Sequence, residues 1–318
     1  TEQEVFALLM IADAQRFNGL RTDAYKNYVI ASELDPTQAE RIEPHILKCI
    51  PSMQTLFNTP VFEKHLIGYL EHMEFYSGAV DYHAVKLLTE RFALTDPDAT
   101  VELAQIISDP LLLTALKHLS LNSPHVELFL INLRKIVFQM IVENGLPDTL
   151  VPIVISLAEH ADLIEYAFEV DDNEKVLLLG IETLMETHFA ANGECQSLLE
   201  PLLTFLMYEP IARLSFCSQI TNETVAAWPS SVHRLFRNIV LNPRQELALS
   251  ASIPALTSVT AEISKKVMNQ YQENPYPRWR DITTHGRSAG YLDLYPELQG
   301  HLENGEKFQQ PLRCLVAG

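Results

Sequence analysis

From Val126 the chain is apolar at Val126, Phe129, Leu130, Leu133, Val137, Met140 and Ile141. Steps of three and four place these side chains on one stripe of a helix. Similar stripes run from Leu150 to Ala158, Val176 to Met185 and Leu198 to Met207. Before residue 300 no apolar–polar alternation bounded by turn signals appears, so the pattern offers no half-buried strand. Helix punctuation agrees. Asp109-Pro110 and Ser123-Pro124 each supply an N-cap followed by proline in the first turn, and Asn144-Gly145 and Asn192-Gly193 suit helix C-termini. The prediction is an all-α fold, an antiparallel helical array from residue 1 to about residue 272.

Glycine usage divides the chain. Six glycines fall in residues 1–285 and five in the 33 residues after that, which read as loop with one strand candidate. Four segments follow: a helical hairpin at 1–38, a helical domain at 39–272, a linker at 273–310 and a strand at 311–318. In the hairpin, Leu8, Ala12, Gly19, Ala24, Tyr28, Ala31 and Pro36 have the spacing of packing positions in a tetratricopeptide repeat. Small residues let two antiparallel helices approach, Tyr28 fills the gap beside them, and Pro36 ends the second helix. One such repeat cannot bury its own face and needs neighbours. After Pro36 the spacing decays, although helical pairs of similar length continue.

Charge narrows the partners. With 41 acidic and 23 basic residues the formal net charge is −18, a surface that repels phosphate backbones and anionic lipid. No nucleic acid and no membrane is expected as a partner. No apolar run approaches the roughly 18 residues that span a bilayer, and the stretch from Val126 to Val142 is interrupted by Arg134 and Lys135. Cys49, Cys195, Cys217 and Cys314 form no CxxC pair, a pattern suited to a reducing cytoplasm. Thr1 to Phe6 already read as helix, so the start is expected to be cut.

Catalytic signatures are sparse. GxGxxG, the P-loop, HExxH and GxSxG do not occur, and no histidine has metal-ligand spacing to another histidine or cysteine. Helix histidines such as His118 and His160 are expected on the surface or in packing. Glu165 is read in two ways, as a polar anchor between apolar neighbours or as a surface carboxylate beside Tyr166 and Phe168.

Several segments together resemble a family. Asp109 to Leu116 reads DPLLLTAL, followed by Glu127 and by Leu133-Arg134. Leu157 to Phe168 reads LAEHADLIEYAF, with Glu174 close behind. Tyr208-Glu209-Pro210 follows an apolar helix, and Asn274 to Trp279 reads NPYPRW. These resemble the amino-terminal region of bacterial proteins that join tetratricopeptide-like helices to a class I S-adenosylmethionine-dependent methyltransferase domain. The resemblance runs from about residue 5 to the end, and NPYPRW is its most specific part.

It implies a strand leading into a glycine turn that grips S-adenosylmethionine. Leu312 to Gly318 matches only the strand and its first Ala-Gly, so the chain is expected to stop before the rest of the site. Gly318, Tyr271, Tyr276 and Trp279 are the candidate cofactor contacts. Pro275 and Pro277 hold the linker extended and present Tyr276 and Trp279 as anchors, with Arg278 offering a planar fork. Either these aromatics pack as an interdomain clamp, or they wall the cofactor or substrate pocket. The implied partners are a downstream methyltransferase domain and a protein partner or substrate. The expected role is recruitment and covering of the active site, with S-adenosylmethionine bound only by the full-length protein. The rival reading is a helical-repeat scaffold without chemistry.

Overall fold

A computed structural model describes residues 1–72, 78–96, 98–252 and 262–273. Two compact units divide the chain, Thr1–Lys266 and Val267–Gly318. The first opens with α1 (Glu2–Phe17), α2 (Arg21–Leu34), α3 (Ala39–Leu47), α4 (Pro60–Glu71) and α5 (Gly78–Arg91). It continues through α6 (Leu103–Ile107), α7 (Pro110–His118), α8 (Pro124–Asn144), α9 (Val151–Leu163) and α10 (Asp172–Asn192). Then come α11 (Leu199–Leu206), α12 (Asn222–Ala227), α13 (Ser230–Phe236) and α14 (Asn242–Ser252), the last two joined by a π-helical stretch, Arg237–Leu241. The final described helix is α15 (Glu262–Glu273). No strand occurs among the described residues, so the all-α prediction holds for them. NPYPRW, with Tyr276 and Trp279, and the strand expected before Gly318 lie outside the described residues.

The hairpin forms where the spacing placed it. α1 packs along α2, and Gly19 turns the chain between them at φ +80°, a backbone region that costs glycine nothing. Ala12, Ala24 and Ala31 are buried at the contact, where their short side chains allow close approach. Tyr28 is buried as well, and its hydroxyl donates to Asp13 while accepting from Arg16 Nε at 3.1 Å. α2 packs in turn on α3, and α3 on α4.

Caps set the later boundaries. Asp109 accepts from the Leu112 amide at 2.7 Å at the start of α7, satisfying one of the free first-turn donors. Gly193 ends α10 at φ +66°. Ser123 precedes α8, but its side chain makes no capping bond there, and Pro124 alone marks the start. The α8 stripe is on the inside: Val126, Leu130, Leu133, Val137 and Ile141 are buried, with Phe129 and Met140 packed against the core. In α10 the inner face runs instead through Glu174, Leu178 and Met185, and Val176, Leu179 and Leu184 point outward.

α9 is enclosed by its neighbours. Every residue from Ile153 to Asp162 is buried, because α7, α11 and α13 pack around it. A helix covered on several sides needs apolar residues all round, which the run Ile153-Val154-Ile155 supplies. Its buried Ser156 returns its hydroxyl to the Pro152 carbonyl at 3.0 Å, removing the cost of an unsatisfied polar group.

Buried histidines couple this packing to pH. His83 is fully buried edge-on to Phe62, with Nε2 3.2 Å from the Met53 carbonyl. Burial holds its pKa below the ordinary histidine value, as it does for His65 and His45. A depressed pKa means the fold prefers the neutral ring. The stabilisation is therefore present above the unfolded value of about 6.5 and is lost as pH falls through the folded values. Thermal midpoints are expected to fall as pH drops from about 7.5 to about 5.5. His83→Gln should flatten that slope; an unchanged slope would remove His83 as a source.

Candidate functional site

The sequence segments singled out before residue 270 meet largely in one place. Arg134 and Lys135 come from the middle of α8, Phe168 and Glu169 from the loop after α9, Glu174 from the first turn of α10, and Tyr208 from the turn after α11. Arg134, Glu174 and Tyr208 are 4%, 5% and 2% exposed. A buried guanidinium and carboxylate survive only when each meets the other and further hydrogen-bond partners.

That is what the geometry provides. Arg134 Nη2 donates to the Glu169 carbonyl at 2.6 Å and lies 3.6 Å from Glu174 Oε1. Tyr208 donates its hydroxyl to the same Oε1 at 2.7 Å. Its ring lies under the guanidinium, 4.1 Å from Cζ to centroid, and against Phe138 at 4.7 Å. The Phe168 ring also meets the guanidinium, with Cζ 6.0 Å from its centroid. Burial, then the bond to Glu174, pushes the Tyr208 pKa far above the ordinary tyrosine value, so it remains a hydroxyl donor. Arg134 Nε has no hydrogen-bond partner among the described residues, a cost the other contacts must offset.

A capping box ties this centre to the helix start. Asp171 accepts from the Glu174 amide at 2.9 Å, and Glu174 Oε2 accepts from the Asp171 amide at 2.9 Å. Lys135 reaches Asp171 Oδ2 at 3.1 Å and Glu174 Oε2 at 3.8 Å. The Glu174 amide, then Lys135, holds the Asp171 carboxyl below its ordinary range. Glu174 therefore acts at once as capping residue, ion-pair partner and hydroxyl acceptor.

The LIEYAF run explains how Phe168 arrives. Glu165 and Tyr166 adopt φ +55° and +57°, two successive left-handed residues after α9. Such positions strain non-glycine residues, and they persist where surrounding contacts fix them. The Tyr166 amide closes the turn on the Ala161 carbonyl at 2.7 Å. Phe168 then packs on His160, 5.4 Å between centroids, and Glu169 presents its carbonyl to Arg134. Glu165 is itself exposed, with no side-chain hydrogen bond or ion pair among the described residues, so the surface reading applies and Glu174 is the anchor.

Two further cross-links join helices. Arg91, at the end of α5, forks to Glu63 of α4 and to Asp109, which also caps α7. Buried Asp81 accepts from the Leu121 and Asn122 amides at 2.9 and 3.3 Å, holding the loop before α8. Burial raises the Asp81 pKa, and those two amides draw it partly back. His118 ends α7, with Nε2 3.4 Å from Arg234 Nη2, and Arg234 Nε lies 3.3 Å from Glu159.

Among the described residues, no group of three or more His, Cys, Asp or Glu side chains could hold a metal ion, and no helix is long and apolar enough to cross a membrane. Cys49, Cys195 and Cys217 are free, and burial pushes the Cys49 thiol up to about 11. Of the candidate cofactor contacts, Tyr271 sits in α15 with its side chain outside the described set, and Tyr276, Trp279 and Gly318 lie wholly outside it. Sequence reasoning missed Lys135 and the capping role of Glu174, although Asp171-x-x-Glu174 carries the capping-box spacing. Compared with protein-family models, with curated proteins and with solved structures, the chain gave no match.

Removing one member of the buried pair leaves the other charge uncompensated. Arg134→Met is expected to destabilise by about 3–5 kcal/mol, and Tyr208→Phe by about 1–3 kcal/mol. Adding Glu174→Gln to Arg134→Met should cost less than the sum of the single changes, because the pair acts as a unit. Urea unfolding of the four variants measures this; strict additivity would mean that Arg134 and Glu174 do not interact.

Proposed function

We propose that this chain is the helical, non-catalytic recognition region of a bacterial, cytoplasmic S-adenosylmethionine-dependent methyltransferase. In this reading the helices form a tetratricopeptide-like array followed by a loop-rich tail, and the cofactor is held by a domain beyond Gly318. The observation that carries it is the convergence of Arg134, Phe168, Glu174 and Tyr208. These residues belong to segments that carry the resemblance, and their common role is to lock helices together. Tyr271, Tyr276 and Trp279 would face the cofactor only when that domain is present.

A scaffold without chemistry is the second reading. It is favoured by the outer stripe of α1, where Phe6, Met10 and Phe17 stand exposed, Phe17 at 91%. Large exposed apolar stripes mark surfaces that meet a partner.

Isothermal titration separates the two. S-adenosylmethionine is expected to give no binding heat with this chain and saturable heat with a longer polypeptide that continues past Gly318. Micromolar binding by this chain alone would place the cofactor site among its own residues and contradict the division of labour. A longer polypeptide without binding would favour the scaffold.

A further inference from the structure

Between α3 and α4 lies a groove of about 590 Å³, within the range of small-ligand and peptide-anchor sites. Its floor includes Leu47, Pro51, Ile67 and Gly68. Gly68 is the notable residue. It lies inside α4, where glycine weakens a helix relative to alanine. A Cβ at this position would meet only Leu47 Cδ2, at 3.9 Å, which is ordinary contact. Helix packing therefore does not require glycine here, and its consequence is a deeper groove.

The rim carries charge. Glu40 and Glu43 of α3, Glu71 of α4, Lys48 and Lys64 border the opening, and no ion pair among the described residues engages any of them. With His72 neutral, three carboxylates against two ammonium groups leave the rim acidic by one charge, within a chain of net charge −18. Such a field draws cationic groups and repels anionic ones.

We propose that this groove binds a peptide segment in which an apolar side chain is flanked by lysine or arginine. The apolar residue fills the space above Gly68 between Leu47 and Ile67. The flanking cations meet Glu40, Glu43 and Glu71. Lys48 and Lys64 face the peptide's own carbonyl groups. An apolar floor with a few polar groups at its edge is the usual build of such a site. Nothing in this inference depends on a methyltransferase domain, and its test reads peptide binding and no cofactor.

Fluorescence anisotropy with a labelled peptide alternating leucine and lysine tests it, with a leucine–glutamate peptide as the charge control. The leucine–lysine peptide is expected to bind saturably. Binding should weaken about tenfold or more in Gly68→Phe, which fills the floor, and in Glu43→Lys/Glu71→Lys, which reverses the rim. Both glutamates are exposed, so the charge pair keeps the test valid should phenylalanine disturb α4. Gly68→Ala should retain binding and raise the thermal midpoint. Equal binding to Gly68→Phe with its fold intact, equal binding of the leucine–glutamate peptide, or no saturable binding would each overturn the proposal.

Discussion

A guanidinium buried among helices is the constraint around which α8, the loop after α9, the start of α10 and the turn after α11 are arranged. Arg134 is 4% exposed, and a cation taken out of water in that way must find charge and hydrogen bonds nearby. Each partner it finds comes from a different part of the chain: a backbone carbonyl at Glu169, a carboxylate at Glu174, a ring face at Tyr208. Meeting all three fixes the loop after α9, the start of α10 and the turn after α11 relative to α8. An apolar side chain in place of Arg134 could fill the volume without selecting one arrangement of these segments. The directional demands of the guanidinium are what make the arrangement specific.

The strained turn at Glu165 and Tyr166 follows from the same constraint. A relaxed helix end would carry the chain away from α8, whereas two left-handed residues bring Phe168 and the Glu169 carbonyl back to Arg134. Local strain is thus offset by long-range contacts. The Arg91 fork does similar work elsewhere, linking α4, α5 and the cap of α7 through one planar group with several donors. In both places an arginine joins elements that hydrophobic contact alone would leave free to slide.

Periodicity made the elements legible. The α8 stripe predicts its inner face because a helix has one geometry whatever surrounds it. The hairpin at Gly19 and the buried Tyr28 follow from small residues and a glycine at fixed spacing. What the stripes do not carry is which faces meet. Val176 fits the stripe of α10, yet it points outward because the capping box turns Glu174 inward and sets the rotation of that helix. Glu165 goes to the surface in the left-handed turn after α9, whereas the capping box with Asp171 turns Glu174 toward Arg134. The groove at Gly68 depends on the apposition of α3 and α4, which no local pattern encodes.

The central claim is that Arg134 holds α8, the loop after α9 and the start of α10 as one cooperative unit. Native-state hydrogen exchange on Arg134→Met, set beside the unaltered chain, tests it most directly. The account predicts that amides in residues 164–171, in the first turns of α10 and in the middle of α8 lose protection together, while the α1–α2 hairpin keeps its own. Loss confined to the loop, with α8 and α10 as protected as before, would contradict it.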